Sequence, residues 1–124
     1  MFLLLIGLIL ANSISGNAQG PLGYKIVYKD SVTATAYNSE VGQTDNSPWE
    51  TASGTRCRDG VIASNHLPIG TKVMIEGFGD KVFTVEDRMN KRYSKRIDIW
   101  FRSHKAAINF GVRKVNYYVV ASGK

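Results

Sequence analysis

The amino-acid sequence predicts an all-β domain that contains one short helix. It holds seven short runs rich in Val, Ile, Thr and aromatic residues, the residue types that strands favour. Turn residues separate these runs. The length of 124 residues suits one compact domain. The runs are Tyr24–Tyr28, Val32–Tyr37, Gly60–Ala63, Thr71–Glu76, Lys81–Glu86, Arg96–Phe101 and Lys114–Val120.

Turns and a single helix connect the predicted strands. Gly77–Asp80 is a tight connection, and Leu67–Gly70 is a turn that leads into the next run. A helix is predicted over His104–Phe110, where Ser103 can cap its start and Gly111 is placed to end it. The most economical arrangement of these strands is a small closed barrel, because closure leaves no unpaired edge.

The N-terminal residues predict a signal segment that precedes the barrel. Met1–Leu10 is apolar, and small and polar residues follow it up to Ala18, as at a secretory cleavage site. The run is shorter than the roughly 20 apolar residues of a spanning helix, so no stable membrane span is expected. No Lys or Arg precedes it, which leaves an uncleaved anchor as an alternative.

The sequence pattern divides the chain into three parts. Residues 1–18 are the signal segment, 19–31 a linker and first strand, and 32–120 the barrel domain.

The signal segment leads us to expect an exported protein in the cell envelope or outside the cell. The formal net charge of +6 favours an anionic partner, and export favours a wall polymer or anionic lipid over nucleic acid. Charge that serves only solubility is the alternative.

Cysteine and histidine usage argues against a metal centre. Cys57 is the only cysteine, so a disulfide framework and a multi-cysteine metal site are excluded. His66 and His104 are isolated and no H-E-x-x-H motif is present, so we expect neither a metal nor a cofactor. Cys57 and His66 could imitate a thiol site, but an incidental free thiol is the simpler interpretation.

A long polar loop between Ser39 and Arg58 interrupts the strand pattern. Loops of this length in small domains are usually functional or disordered, and Trp49 within it favours function. An exposed Trp can stack on a sugar face. The alternative is that Trp49 folds over the mouth of the barrel.

Two aspartates stand out near the ends of predicted strands. Asp87 follows one run, and Asp98 lies eleven residues later in Arg96–Phe101. Because side chains alternate along a strand, Asp98 and Trp100 share one face while the isoleucines on either side of Asp98 share the other. If the isoleucines fill the barrel, the acid and the aromatic face outward together, which is one way to build a carbohydrate-cleaving site. The alternative is a solvated Asp98 paired with a neighbouring arginine.

Six motifs in order resemble a known family. Their order and spacing over about Val32 to Val120 are similar to the double-psi β-barrel of the bacterial three-aspartate (3D) domain. That domain also resembles the catalytic barrel of membrane-bound lytic transglycosylase A and the Sps-type muralytic proteins, and more distantly rare lipoprotein A and the expansins. The motifs are Thr35-Ala36-Tyr37, Thr51-Ala52-Ser53-Gly54-Thr55, Val61-Ile62-Ala63-Ser64-Asn65, Leu67-Pro68-Ile69-Gly70-Thr71-Lys72-Val73, Val85-Glu86-Asp87-Arg88 and Arg96-Ile97-Asp98-Ile99-Trp100-Phe101.

The resemblance implies a six-stranded double-psi barrel and a lytic activity on peptidoglycan. Asp87 and Asp98 match the second and third family aspartates, whereas Asn65 stands where the family has the first. Asp98 would then be the single acid and base that cleaves the β-1,4 bond between N-acetylmuramic acid and N-acetylglucosamine, leaving 1,6-anhydro ends. This role needs a raised pKa, which a nearby Asp87 charge would supply.

The expected substrate groove joins family-like positions to two tryptophans. We expect Tyr37, Thr51, Asn65, Trp49 and Trp100 to line one groove with Asp98. The glycan strands of peptidoglycan would be the partner of a monomeric protein. The segment from Arg88 to Arg96 holds five cations and no acid, so it is either a site for peptide-stem carboxylates or a solvated loop.

Two other functions compete with lysis. One is an expansin-like module that binds peptidoglycan without cutting it, which the Asn65 departure favours. The other is nucleic-acid binding, which rests on charge alone and which the signal segment opposes.

Overall fold

The computed structural model describes residues 23–39 and 49–122 and confirms a closed six-stranded barrel with one short helix. The predicted signal segment lies outside the described residues. The first two predicted runs form one continuous strand. The elements are β1 (Tyr24–Tyr37), β2 (Val61–Ala63), β3 (Lys72–Ile75), β4 (Val82–Asp87), β5 (Arg96–Trp100), α1 (His104–Phe110) and β6 (Arg113–Ser122).

The strand order around the barrel is β1-β5-β2-β4-β3-β6. The β1–β5 and β2–β4 pairs are parallel, and the other four pairs are antiparallel. The short strand β2 therefore lies between β4 and β5, although these two follow each other in the chain. This placement brings the end of β4 and the middle of β5 to either side of Ala63.

Inward-facing apolar side chains fill the barrel at alternate positions of its strands. Ile97 and Ile99 are both buried in this core, as the alternation in β5 predicts. Burial of such side chains stabilises the fold by roughly 1.5–3 kcal/mol each. The rest of the core consists of Val32, Ala34, Ile62, Val73, Ile75, Phe83, Val85, Phe110, Val115 and Tyr117.

The helix packs against the barrel through its two buried residues, Ala107 and Phe110. Ser103 Oγ accepts a hydrogen bond from the backbone N–H of Ala106 at 3.2 Å, so the predicted cap is present. Gly111 ends the helix at a φ of 66°, a conformation that favours glycine. Phe110 packs against the rings of Phe78 and Phe101. Over the described ranges, no helix has the length and apolar character needed to cross a membrane.

Candidate active site

The register of four strands brings the two aspartates together. Asp98 on β5 pairs with Thr35 on one side and with Ala63 on the other, and Ala63 in turn pairs with Asp87 on β4. The four residues thus form one row across β1, β5, β2 and β4. Eleven residues of sequence separate the acids, but only one short strand separates them in space.

Asp98 is half-buried and accepts a hydrogen bond of 2.8 Å from Thr35 Oγ1. Burial raises its pKa to about 6, and the negative charge of Asp87 acts in the same direction. The Thr35 hydrogen bond and the Arg96 charge oppose this shift. The predicted direction is therefore found, but burial rather than Asp87 is its main cause. A carboxyl group of this kind holds a proton into mildly acidic solution.

The alternative of a solvated, ion-paired Asp98 does not describe this site. Over residues 23–39 and 49–122, Asp98 forms no ion pair with Arg96 or with Arg102. The ion pairs there are Arg58–Glu86, Lys81–Asp59 and Lys95–Asp30.

Asp87 is oriented by three hydrogen-bond donors. Its Oδ1 accepts from the backbone N–H groups of Ala52 at 2.8 Å and Arg88 at 2.9 Å, and its Oδ2 accepts from the Tyr37 hydroxyl at 3.0 Å. These contacts fix the carboxylate beside Asp98.

Tyr37 joins β1 to the acid pair. Burial and the Asp87 charge both raise the pKa of Tyr37, so the phenol keeps its proton and remains a donor. Its hydroxyl reaches Asp87, while its ring packs on a small cluster formed by Cys57, Val61 and Trp100. The residue expected to contact substrate therefore also positions Asp87.

Thr51 lies in the loop that supplies the Ala52 N–H. Thr51 is buried, and its hydroxyl lies 2.7 Å from Thr55 Oγ1 and 3.0 Å from Ser53 Oγ. The expectation that Thr51 lines a groove is therefore wrong, because its hydroxyl serves the loop. Thr55 Oγ1 in turn donates to Glu86 Oε1 at 2.6 Å.

Glu86 and Arg58 complete this support. The Arg58 guanidinium donates to both carboxylate oxygens of Glu86. Burial of Glu86 acts to raise its pKa, but the hydrogen bonds from Arg58 and Thr55 outweigh it and hold the pKa below its usual value. The pair fixes the loop to β4, next to Asp87. No local sequence signal reveals these roles, because Arg58 and Glu86 lie 28 residues apart in the chain.

Asn65 anchors the loop over residues 89–93 through both of its polar side-chain atoms. Its Nδ2 lies at 3.2, 2.9 and 3.0 Å from the carbonyl oxygens of Met89, Asn90 and Tyr93. Its Oδ1 accepts from the Met89 N–H at 3.0 Å. The sugar contact of Asn65 stays a prediction. What the structure gives is a residue, two positions after Ala63, that holds the 89–93 loop.

The two tryptophans differ in exposure. Trp100 does face away from the barrel interior, but it is only 2% exposed and its Nε1 donates to Ser39 Oγ at 2.7 Å. Its expected role as a stacking surface is wrong, because the cluster with Cys57 and Val61 and the edge of Trp49 cover it. Trp49 is 40% exposed, with the Arg56 guanidinium 5.0 Å from its ring centroid. Most of the loop before it, residues 40–48, lies outside the described part.

Thr35 is the partner of Asp98 that the sequence analysis did not single out. It belongs to a family-like run, but its role depends on the parallel β1–β5 pairing, which no local pattern reveals.

Among the described residues, no three His, Cys, Asp or Glu side chains are grouped as metal ligands. The sequence matches no protein-family model and no curated protein.

Proposed function

We propose that the protein is an exported lytic transglycosylase that cleaves the β-1,4 bond between N-acetylmuramic acid and N-acetylglucosamine in peptidoglycan. The observation that carries the proposal is Asp98, a half-buried carboxyl group with a pKa of about 6 beside an oriented Asp87. A general acid works best when its pKa lies near the working pH. The resemblance to the three-aspartate double-psi barrels supports the substrate class.

In this mechanism Asp98 acts twice. Protonated Asp98 gives its proton to the glycosidic oxygen as the bond to the muramic acid C1 breaks and positive charge develops on that sugar. The C6 hydroxyl of the same sugar then attacks C1, and the Asp98 carboxylate takes the hydroxyl proton. The product is a 1,6-anhydro sugar, and Asp98 is restored without a second catalytic carboxylate.

Asp87 and Tyr37 support this cycle. The Asp87 charge raises the pKa of Asp98, and Tyr37 holds Asp87 in place by donating to it. Thr35 keeps the Asp98 carboxyl group oriented through its 2.8 Å hydrogen bond.

Digestion of purified sacculi tests the proposal. Mass spectrometry of the released muropeptides should show anhydro ends with the wild type, and Asp98→Asn should reduce their rate of formation by about 10²–10⁴-fold. Arg102→Gln is the control, since it removes a nearby charge that contacts the Trp100 ring rather than either aspartate. Equal rates for wild type and Asp98→Asn would refute the mechanism.

The second candidate is a module that binds peptidoglycan without cleaving it. The observation that favours it is Asn65, which stands where the family has an aspartate and whose polar atoms all serve the 89–93 loop. Wild-type protein that binds sacculi but releases no anhydro products would establish this alternative.

A further inference from the structure

Four of the five cations in the segment after β4 fall into two groups by what their side chains contact. Arg88 and Lys95 are engaged with the protein itself. Arg88 Nη1 donates to the backbone carbonyls of Ser64 and Leu67, and Lys95 Nζ forms an ion pair with Asp30. These two cations therefore serve the fold.

Arg92 and Arg96 are placed differently, because both lie over the ring of Tyr93. Their guanidinium carbons are 4.8 and 4.4 Å from the ring centroid. Arg92 Nη2 also donates to the Tyr93 hydroxyl at 2.8 Å. A guanidinium has five N–H donors, so the bond from Arg92 Nη2 to Tyr93 leaves further donors on both side chains for a ligand. In the described part of the chain, neither arginine forms an ion pair with an acid.

Two like charges close to one ring repel each other, and the attraction of both to a bound anion offsets this repulsion. We call Arg92 and Arg96 the arginine pair. Tyr93 orders both side chains in advance, so less conformational entropy is lost when they bind a ligand. Planar donor groups of this kind match the two oxygens of a carboxylate.

The arginine pair lies next to the candidate catalytic residue. Arg96 precedes Asp98 by two residues on β5, so both side chains leave the same face of the strand, about 7 Å apart along it. Asn65 donates to the Tyr93 carbonyl and so holds this part of the loop. Asn65 comes two residues after Ala63, which pairs with Asp98 across the sheet. The pair is thus held at a defined position relative to Asp98.

We propose that the arginine pair is a carboxylate-binding subsite that recognises the peptide stem attached to the glycan beside the bond to be cleaved. The inference rests on the proposed function for the identity of the glycan. The subsite would select peptide-bearing strands over bare glycan, a preference that the acid pair alone does not provide.

Binding measured in the Asp98→Asn background tests the subsite without substrate turnover. We expect Arg92→Gln to weaken binding of the full chain to intact sacculi about ten-fold, the effect of losing a charge-assisted bidentate contact. Arg92→Lys keeps the charge but loses the planar donor group, so its affinity for sacculi should lie between that of the starting protein and that of Arg92→Gln. Lys91→Gln is the matched control: it removes one charge from the same exposed loop but no stacked guanidinium, and it should leave binding near the starting value. Equal losses for Lys91→Gln and Arg92→Gln would overturn the proposal in favour of diffuse charge.

The source of the anion is identified by changing the ligand. On chitin, a β-1,4 polymer of N-acetylglucosamine that carries neither peptides nor carboxylates, the Arg92→Gln effect should disappear, and a persisting effect would contradict the subsite. Removal of phosphate-containing polymers from the sacculi should leave the effect intact. Its loss there would assign the pair to phosphate and overturn the proposal.

The outcomes also separate this inference from the proposed function. An Arg92-dependent affinity for peptide-bearing sacculi, with no anhydro products from the wild type, would retain the subsite and reject the lytic reaction. Normal anhydro products with no effect of Arg92→Gln on binding or KM would retain the reaction and reject the subsite.

Discussion

At the level of single residues, the proposed catalysis depends on two carboxyl groups in different surroundings. Asp98 accepts one side-chain hydrogen bond and is desolvated, which favours its protonated form. Asp87 accepts three hydrogen bonds and is oriented by them. Environments that differ in this way separate a proton donor from its charged neighbour.

The first prediction concerns the dependence of activity on pH. Asp98 must be protonated to act as an acid, so kcat/KM should fall as the pH rises above about 6. Asp87→Asn removes a negative charge that raises the pKa of Asp98, so it should move this fall to lower pH. Rates of anhydro-product formation across a pH series measure both effects. A fall at unchanged pH in Asp87→Asn would contradict the coupling.

The second prediction concerns stability. The pKa of Asp98 is raised from 3.8 to about 6 by folding, so the native state binds the proton more tightly than the unfolded state. Its contribution to stability is therefore present below pH 3.8 and is lost as the pH rises to about 6. Asp98→Asn cannot ionise and should be more stable than the wild type at neutral pH, by about 1–2 kcal/mol after allowing for partial exposure.

Urea unfolding of both proteins at two pH values checks this stability difference. The gap between wild type and Asp98→Asn should be present at neutral pH and should close at pH values below the ordinary range of Asp. A gap of the same size at both pH values would show that the substitution acts through packing instead.

At the scale of elements, the loop over residues 89–93 depends on one amide side chain. Asn65 donates to backbone carbonyls and accepts from the Met89 N–H. An aspartate at this position would keep the acceptor but lose the donors and place negative charge against carbonyl oxygens. This explains physically why asparagine suits the position in this chain.

The third prediction follows from that loop. Asn65→Asp should lower the free energy of unfolding by about 0.5–1.5 kcal/mol, because the carbonyl groups of the 89–93 loop lose their side-chain donor. Asn90→Asp is the control, since Asn90 Oδ1 only accepts from the Arg92 N–H and a carboxylate can do the same. Urea unfolding measures the difference, and faster amide exchange at Met89 should accompany it. Equal stability of the two variants would reject the anchoring role.

Much of the element pattern could be predicted from local sequence. Alternation in β5 correctly placed Ile97 and Ile99 in the core, and Ser103 and Gly111 correctly marked the helix ends. The site was less accessible, because its contacts cross strands that are distant in the chain. Thr35 reaches Asp98 over 63 residues. Trp100 was placed on the correct face, but no local signal showed that distant residues cover it.

At the scale of the whole molecule, the barrel combines an acid pair with a surplus of positive charge. The formal net charge is +6, while the two aspartates lie in one row across four strands. Positive charge around an acidic site attracts an anionic polymer toward it. The proposed substrate carries negative charge on the carboxylates of its peptides.

The fourth prediction concerns salt. If charge draws the protein to sacculi, binding should weaken as ionic strength rises toward about 1 M, where the Debye length shrinks to about 3 Å. Sedimentation of Asp98→Asn protein with sacculi measures this dependence without digestion. Binding that is independent of salt would indicate that the positive charge contributes to solubility alone.

The most direct test of the central claim is the titration of Asp98 itself. Carbon-13 NMR of the aspartate carboxyl groups, assigned by comparison with Asp98→Asn, gives its pKa in the folded protein. We expect a pKa of about 6 for Asp98 in the wild type and a lower pKa for Asp98 in Asp87→Asn. A pKa near the ordinary value of 3.8 would contradict it, because Asp98 would then have no proton to give at the pH where the protein works.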